Sequence, residues 1–128
     1  MNPLSTEWIT EAENDFATAL RELRVRRTPN YDAVCFHAEQ CIEKYLKARH
    51  QEANLRLGTT HDLTAHLDLL IEVEPSWGAM RQDLRALTVF AVEYRYPGAF
   101  ADKTTAQDAV RICRRVRETM REGLGLNS

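Results

Sequence analysis

Phe36–Ala48 reads FHAEQCIEKYLKA, and the fold depends on how that stretch winds. At roughly 100° per residue, Val34, Ala38, Cys41, Ile42, Tyr45 and Ala48 gather on one broad apolar stripe. The opposite side carries Glu39, Gln40, Glu43, Lys44 and Lys47, with Phe36 among them. Glu43 and Lys47 stand one turn apart and attract, whereas Glu39 and Glu43 repel at the same spacing. A phenylalanine on a water-facing stripe gains nothing from solvent. The helix is therefore expected to be two-sided, with one stripe for its own core and the other for a docking contact.

Working outward, the pattern predicts an all-α, up-and-down bundle of four to five helices in one domain over residues 1–128. Ser5 or Thr6 is placed to cap a first helix in which Trp8, Ala12, Phe16, Ala19, Leu20 and Leu23 recur at three and four, until Thr28-Pro29-Asn30 breaks it. The second helix runs from Tyr31 to Glu52, followed by a loop over Asn54–Gly58. Thr60 or Asp62 opens a short third helix with Leu63, Leu67, Leu70 and Ile71 inward, closed by Pro75-Ser76. A fourth spans Trp77 to Glu93, and Tyr96-Pro97-Gly98 makes a turn. Thr105 with Asp108 has the spacing of a capping box for a last helix that buries Ala109, Val110, Cys113, Val116 and Met120 and stops near Gly123.

Composition excludes several classes. The formal net charge of −2 exerts no global pull on nucleic acid. Arginines cluster at Arg21, Arg24, Arg26 and Arg27 and again from Arg111 to Arg121, interleaved with acids, a pattern open to phosphate contact or to a solvated helix face. Cys35, Cys41 and Cys113 form no CxxC, and Cys41 and Cys113 fall on apolar stripes as small hydrophobes. His37, His50, His61 and His66 include no i,i+4 pair on one helix, so neither metal nor other cofactor is expected. No apolar run reaches the roughly 20 residues needed to span a bilayer. The opening MNPLSTEWITEAEND lacks the apolar core of a signal peptide, so cytoplasm is the expected location and no membrane contact is expected.

Three segments together carry a family resemblance. FHAEQCIEKYLKA at Phe36–Ala48, THDL at Thr60–Leu63 and RYP at Arg95–Pro97 resemble, in order, the signature of the HEPN family of small helical bundles. That resemblance implies a homodimeric helical protein, often paired with a minimal nucleotidyltransferase in a two-component, toxin–antitoxin-like system. Some relatives are metal-independent ribonucleases that place an arginine and, a few residues on, a histidine in a cleft between two subunits. The chemistry needs a proton carrier at the ribose 2′-hydroxyl and a cation for the developing phosphorane charge. Here Arg95 would supply the cation, but the window where the histidine belongs holds Phe100, Ala101 and Asp102. Asp102 is the proton acceptor available there, and a carboxylate lacks a near-neutral pKa.

The candidate residues follow. Arg95 and Asp102 are the candidate catalytic pair; Phe36, Glu39, Gln40, Glu43, Lys44 and Lys47, with Tyr94 and Tyr96 flanking Arg95, are the candidate nucleotide or partner surface. Lys44 and Lys47 have the charge to meet a nucleotide phosphate beside Gln40, although no glycine-rich loop accompanies them. His37 is the best alternative catalyst, with no orienting carboxylate evident at its flanks. His61 is expected to hydrogen-bond a neighbouring helix, His66 to be half exposed, and His50 to rest at a helix end. The leading function is an interaction subunit of a nucleotidyltransferase; the alternatives are a ribonuclease using Arg95 with a substitute base, or an RNA- or nucleotide-binding module built on the arginine clusters.

Overall fold

A computed structural model gives the architecture and describes residues 1–56, 58–94 and 96–127. Its elements are α1 (Pro3–Leu23), α2 (Tyr31–Glu52), α3 (Leu63–Leu70), a 3-10 turn (Pro75–Met80), α4 (Arg81–Glu93) and α5 (Lys103–Gly123). No strand occurs among the described residues, so the all-α bundle expected from periodicity is what forms.

Four boundaries differ from the sequence pattern, each for a local reason. Asn2, rather than Ser5 or Thr6, caps α1, its side chain accepting from Leu4 N–H, and Pro3 at the first helical position has no N–H to satisfy. α3 ends at Leu70, well before Pro75. Pro75 opens the 3-10 turn instead, so the helix expected from Trp77 becomes that turn followed by α4. At α5, Asp102 is the cap, Oδ1 accepting from Thr105 N–H at 2.8 Å; the Thr105–Asp108 box does not form.

Helix directions follow from contacts at the ends. The start of α1 meets the end of α2, where Glu52 Oε2 accepts from Asn2 N–H at 2.9 Å and from the Ser5 hydroxyl at 2.8 Å. The other end closes where Asn30 N–H donates to Glu22 at 2.6 Å, so α1 and α2 are antiparallel. α5 runs parallel to α2, tied at one end by Ala101 N–H to Asp32 at 2.7 Å and at the other by Arg121 to the Tyr45 hydroxyl at 2.9 Å.

α2 is thereby the central rod, packed by α1, α3, α4 and α5. Of its 22 residues only Phe36 is exposed. Small residues make this enclosure possible: Ala12, Ala19, Ala38, Cys41, Ala48, Ala106 and Ala109 are all buried and let the helices approach closely. Larger side chains, among them Ile42, Leu46, Leu67, Leu87 and Trp77, fill the remaining core. One polar knot crosses it. Arg117 holds Glu13 with two hydrogen bonds, of 2.7 and 2.5 Å, and the Tyr45 hydroxyl donates to the same carboxylate at 2.5 Å. Burial pushes the Glu13 carboxyl up, but the hydrogen bonds from Arg117 and Tyr45 outweigh it and hold it below its ordinary range.

The end of α5 is closed by a contact only glycine permits. A Cβ at Gly123 would stand 2.6 Å from Cζ2 of the buried Trp77. Gly123→Ala is expected to lower unfolding stability by about 1–3 kcal/mol through overpacking, despite the better helix propensity of alanine. Urea denaturation followed by tryptophan fluorescence measures this; an unchanged or raised midpoint would show that Trp77 yields freely.

Candidate functional site

The polar stripe of α2 is not the solvated outer face its wheel suggests. Glu39 and Glu43 are each only 2% exposed; α1 packs on one edge of the stripe and His61, from the segment before α3, meets Glu43 at the other. Carboxylates taken out of water need charge or hydrogen-bond partners, and the chain supplies them.

On the α1 edge, Asp15 reaches across to α2. Its Oδ1 lies 2.7 Å from His37 Nδ1, and its Oδ2 accepts from Lys44 Nζ at 2.6 Å. Asp15 is itself buried. On the other edge, His61 Nδ1 lies 3.0 Å from Glu43 Oε1. Between them Gln40 donates to Glu39 at 2.9 Å and to Glu43 at 3.4 Å. Lys47 pairs with Glu43 at 3.5 Å and lies 5.0 Å from the centre of the Trp8 ring. The stripe is thus a connected network of acids, amide and cations with two imidazoles at its margins.

Lys44 and Lys47, expected to be available to a phosphate, are each engaged by a carboxylate of this chain. Phe36 remains the exposed member of the stripe, at 38%, with its ring edge-on to His37 at 5.2 Å between centroids. Tyr94 ends α4, half-buried against the core, while Tyr96 in the following turn is exposed. Arg95 lies outside the described residues. Asp102 is committed to capping: the hydrogen bonds from Thr105 hold its carboxyl below the ordinary range, which opposes use as a proton acceptor.

Two of the four histidines, His37 and His66, differ from expectation. His37 does have an orienting carboxylate, supplied by α1 rather than by its own helix. His66 is fully buried rather than half exposed, and His50, in the last turn of α2 as expected, is fully buried too. His61 does bond a neighbouring helix, through Glu43. When Nδ1–H of His37 or His61 donates to its carboxylate, Nε2 is left as the proton-accepting atom, the arrangement that suits an imidazole to proton transfer. Cys35 and Cys41 offer no competing nucleophile: burial, reinforced by Asp32 and Asp102, pushes Cys35 up to about 12, and burial raises Cys41 well above its usual value. Among the described residues, no group of three or more His, Cys, Asp or Glu side chains is placed to hold a metal ion.

Comparison with protein families decides the relationship: the model described as HEPN domain matches residues 5–123. The chain belongs to the HEPN domain family. No curated protein and no solved structure matched it. Gln40, Glu43, Lys44 and Lys47, the α2 residues on which the resemblance rested, are members of the network just described. Among the described residues no helix is long and apolar enough to cross a membrane.

Proposed function

We propose that this HEPN protein is the helical partner subunit of a minimal nucleotidyltransferase in a two-component, toxin–antitoxin-like system, and that it forms a homodimer. The observation that carries the reading is Phe36, the sole exposed residue of an otherwise enclosed helix. Phe36 stands one turn after Asp32, and Asp32 holds Ala101 N–H directly after Phe100, which is 77% exposed. Two exposed phenylalanines therefore flank one residue at the same end of the bundle, with Tyr96 in the turn leading there. Aromatic side chains in such positions are frequent anchors of protein interfaces. The charged neighbours are already paired, which favours contact through the rings over autonomous capture of a phosphate. The partner's class rests on the family resemblance.

Phe36→Asp tests this reading. Light scattering on the protein alone and mixed with a candidate minimal nucleotidyltransferase should show the assembly's mass falling to that of the free subunits, with the thermal midpoint little changed. An assembly of unaltered mass would remove Phe36 from the interface.

A second reading, a metal-independent ribonuclease, is favoured by one observation, the oriented His37–Asp15 pair. In it His37 Nε2 takes the 2′-hydroxyl proton as the 2′-oxygen attacks phosphorus and the 5′-oxygen leaves, and Arg95 is, by the family resemblance, the cation for the phosphorane charge. Structured RNA incubated with chelator should then be cleaved, and His37→Asn should slow cleavage by roughly 10²-fold or more. RNA that stays intact at high protein concentration would discard this alternative.

A further inference from the structure

Towards the opposite end of α2 from Phe36, two histidines have no exposed surface at all, His50 on α2 and His66 on α3. Their rings meet edge-to-face with centroids 5.5 Å apart. His50 Nε2 lies 2.9 Å from the His66 carbonyl oxygen, and His66 Nε2 lies 2.8 Å from the Thr60 carbonyl oxygen. A carbonyl can only accept, so each Nε2 carries its proton and donates. Each Nδ1 of the neutral ring is then a bare lone pair, and neither Nδ1 has a hydrogen-bond partner among the described residues.

This arrangement tolerates one protonation state. A proton added at His66 Nδ1 would bury a charged N–H with no acceptor. Burial holds the ring below the ordinary histidine range. The Thr60 carbonyl and the Glu43 charge oppose that shift, while His50 and Lys47, like Glu43 on α2, add to it. From α4 the neighbouring contact is uncharged: the Thr88 hydroxyl accepts from Leu63 N–H at 3.3 Å.

The bond from His66 to Thr60 also has a structural consequence. It fastens the segment before α3 onto α3, with Gly58 packed over the ring (a Cβ there would stand 3.8 Å from Cε1). His61 rides on that segment and is thereby held against Glu43.

We propose that the His50–His66 pair is a proton-operated latch: neutral, it clamps the 58–62 segment onto α3, and protonated, it releases that segment and withdraws His61 from Glu43. The latch stands on this geometry alone and does not depend on the docking role. The sign follows from proton uptake. The released state binds a proton on His66 that the latched state does not, so acid favours release. From about pH 6.5 downward the released fraction rises about tenfold per pH unit for one histidine, until the pKa of the latched ring is reached.

Hydrogen–deuterium exchange on the whole protein at about pH 7.5 and about pH 5.5, corrected for intrinsic exchange rates, tests the latch. Peptides covering 58–67 should open about tenfold more at the lower pH, while α1 and α5 keep their protection. His66→Gln retains an N–H donor for Thr60 without titrating, and it should abolish the pH response. A wild-type response absent in 58–67, a response shared by the whole chain, or one that survives His66→Gln would each overturn the proposal. If the variant does not fold, the wild-type ring decides the matter by nitrogen NMR: a neutral Nε2–H tautomer at pH 6.5 is expected, and a ring already half protonated there would refute the latch.

Discussion

A helix packed by neighbours around most of its circumference cannot leave its charged residues in water, and α2, with Phe36 alone exposed, is such a helix. Two consequences follow. Its glutamates must find donors within the chain, and those donors must arrive from other elements at fixed places. Asp15 on α1, with His37 and Lys44, sets the register of α1 against α2. His61 does the same for the segment before α3. Removing one partner from such a buried pair leaves a desolvated charge, which is why these contacts specify an arrangement even where their net contribution to stability is modest.

The two sides of α2 use the same device for different ends. On the α5 side, Glu13, Tyr45, Arg117 and Arg121 form a closed knot with Arg117 stacked 4.5 Å from the Phe16 ring centre. Each of the four side chains is bonded to another member of the knot, which suits a purely architectural role. On the other side the network ends at imidazoles that reach the surface, His61 being exposed and His37 partly so. Each has one nitrogen on a carboxylate and one beyond it. Phe36 lies beside His37. The surface end of that network is therefore both apolar and able to exchange protons.

Much of the fold was legible because it rests on periodicity and local punctuation. The limits of α2 follow from Asn30, whose side chain accepts from Ala33 N–H at 3.0 Å, and from the break after Glu52. What a helical wheel cannot state is how many neighbours a helix has. Glu39, Gln40 and Glu43 look solvated when α2 is imagined with one partner, and become interior once α1 and the 58–62 segment flank the stripe. Asp15 was missed for a related reason, being remote in sequence from His37. A signal did exist: Asp15 falls beside Trp8 and Ala19 on the apolar wheel of α1, and an acid in an apolar stripe marks a buried partner. The α5 cap was misread because Asp102 and Thr105 have the same spacing as Thr105 and Asp108. The Ala101–Asp32 bond, a long-range contact, fixes where the helix begins.

The internal pairing of the α2 stripe is open to direct measurement by a double-mutant cycle between Asp15 and Lys44, using Asp15→Asn, Lys44→Met and the double variant in urea denaturation. With 2.6 Å between the charged atoms and both side chains largely out of solvent, the coupling should be at least about 1 kcal/mol. A coupling indistinguishable from zero would mean that water, and not the chain itself, balances the charges along α2.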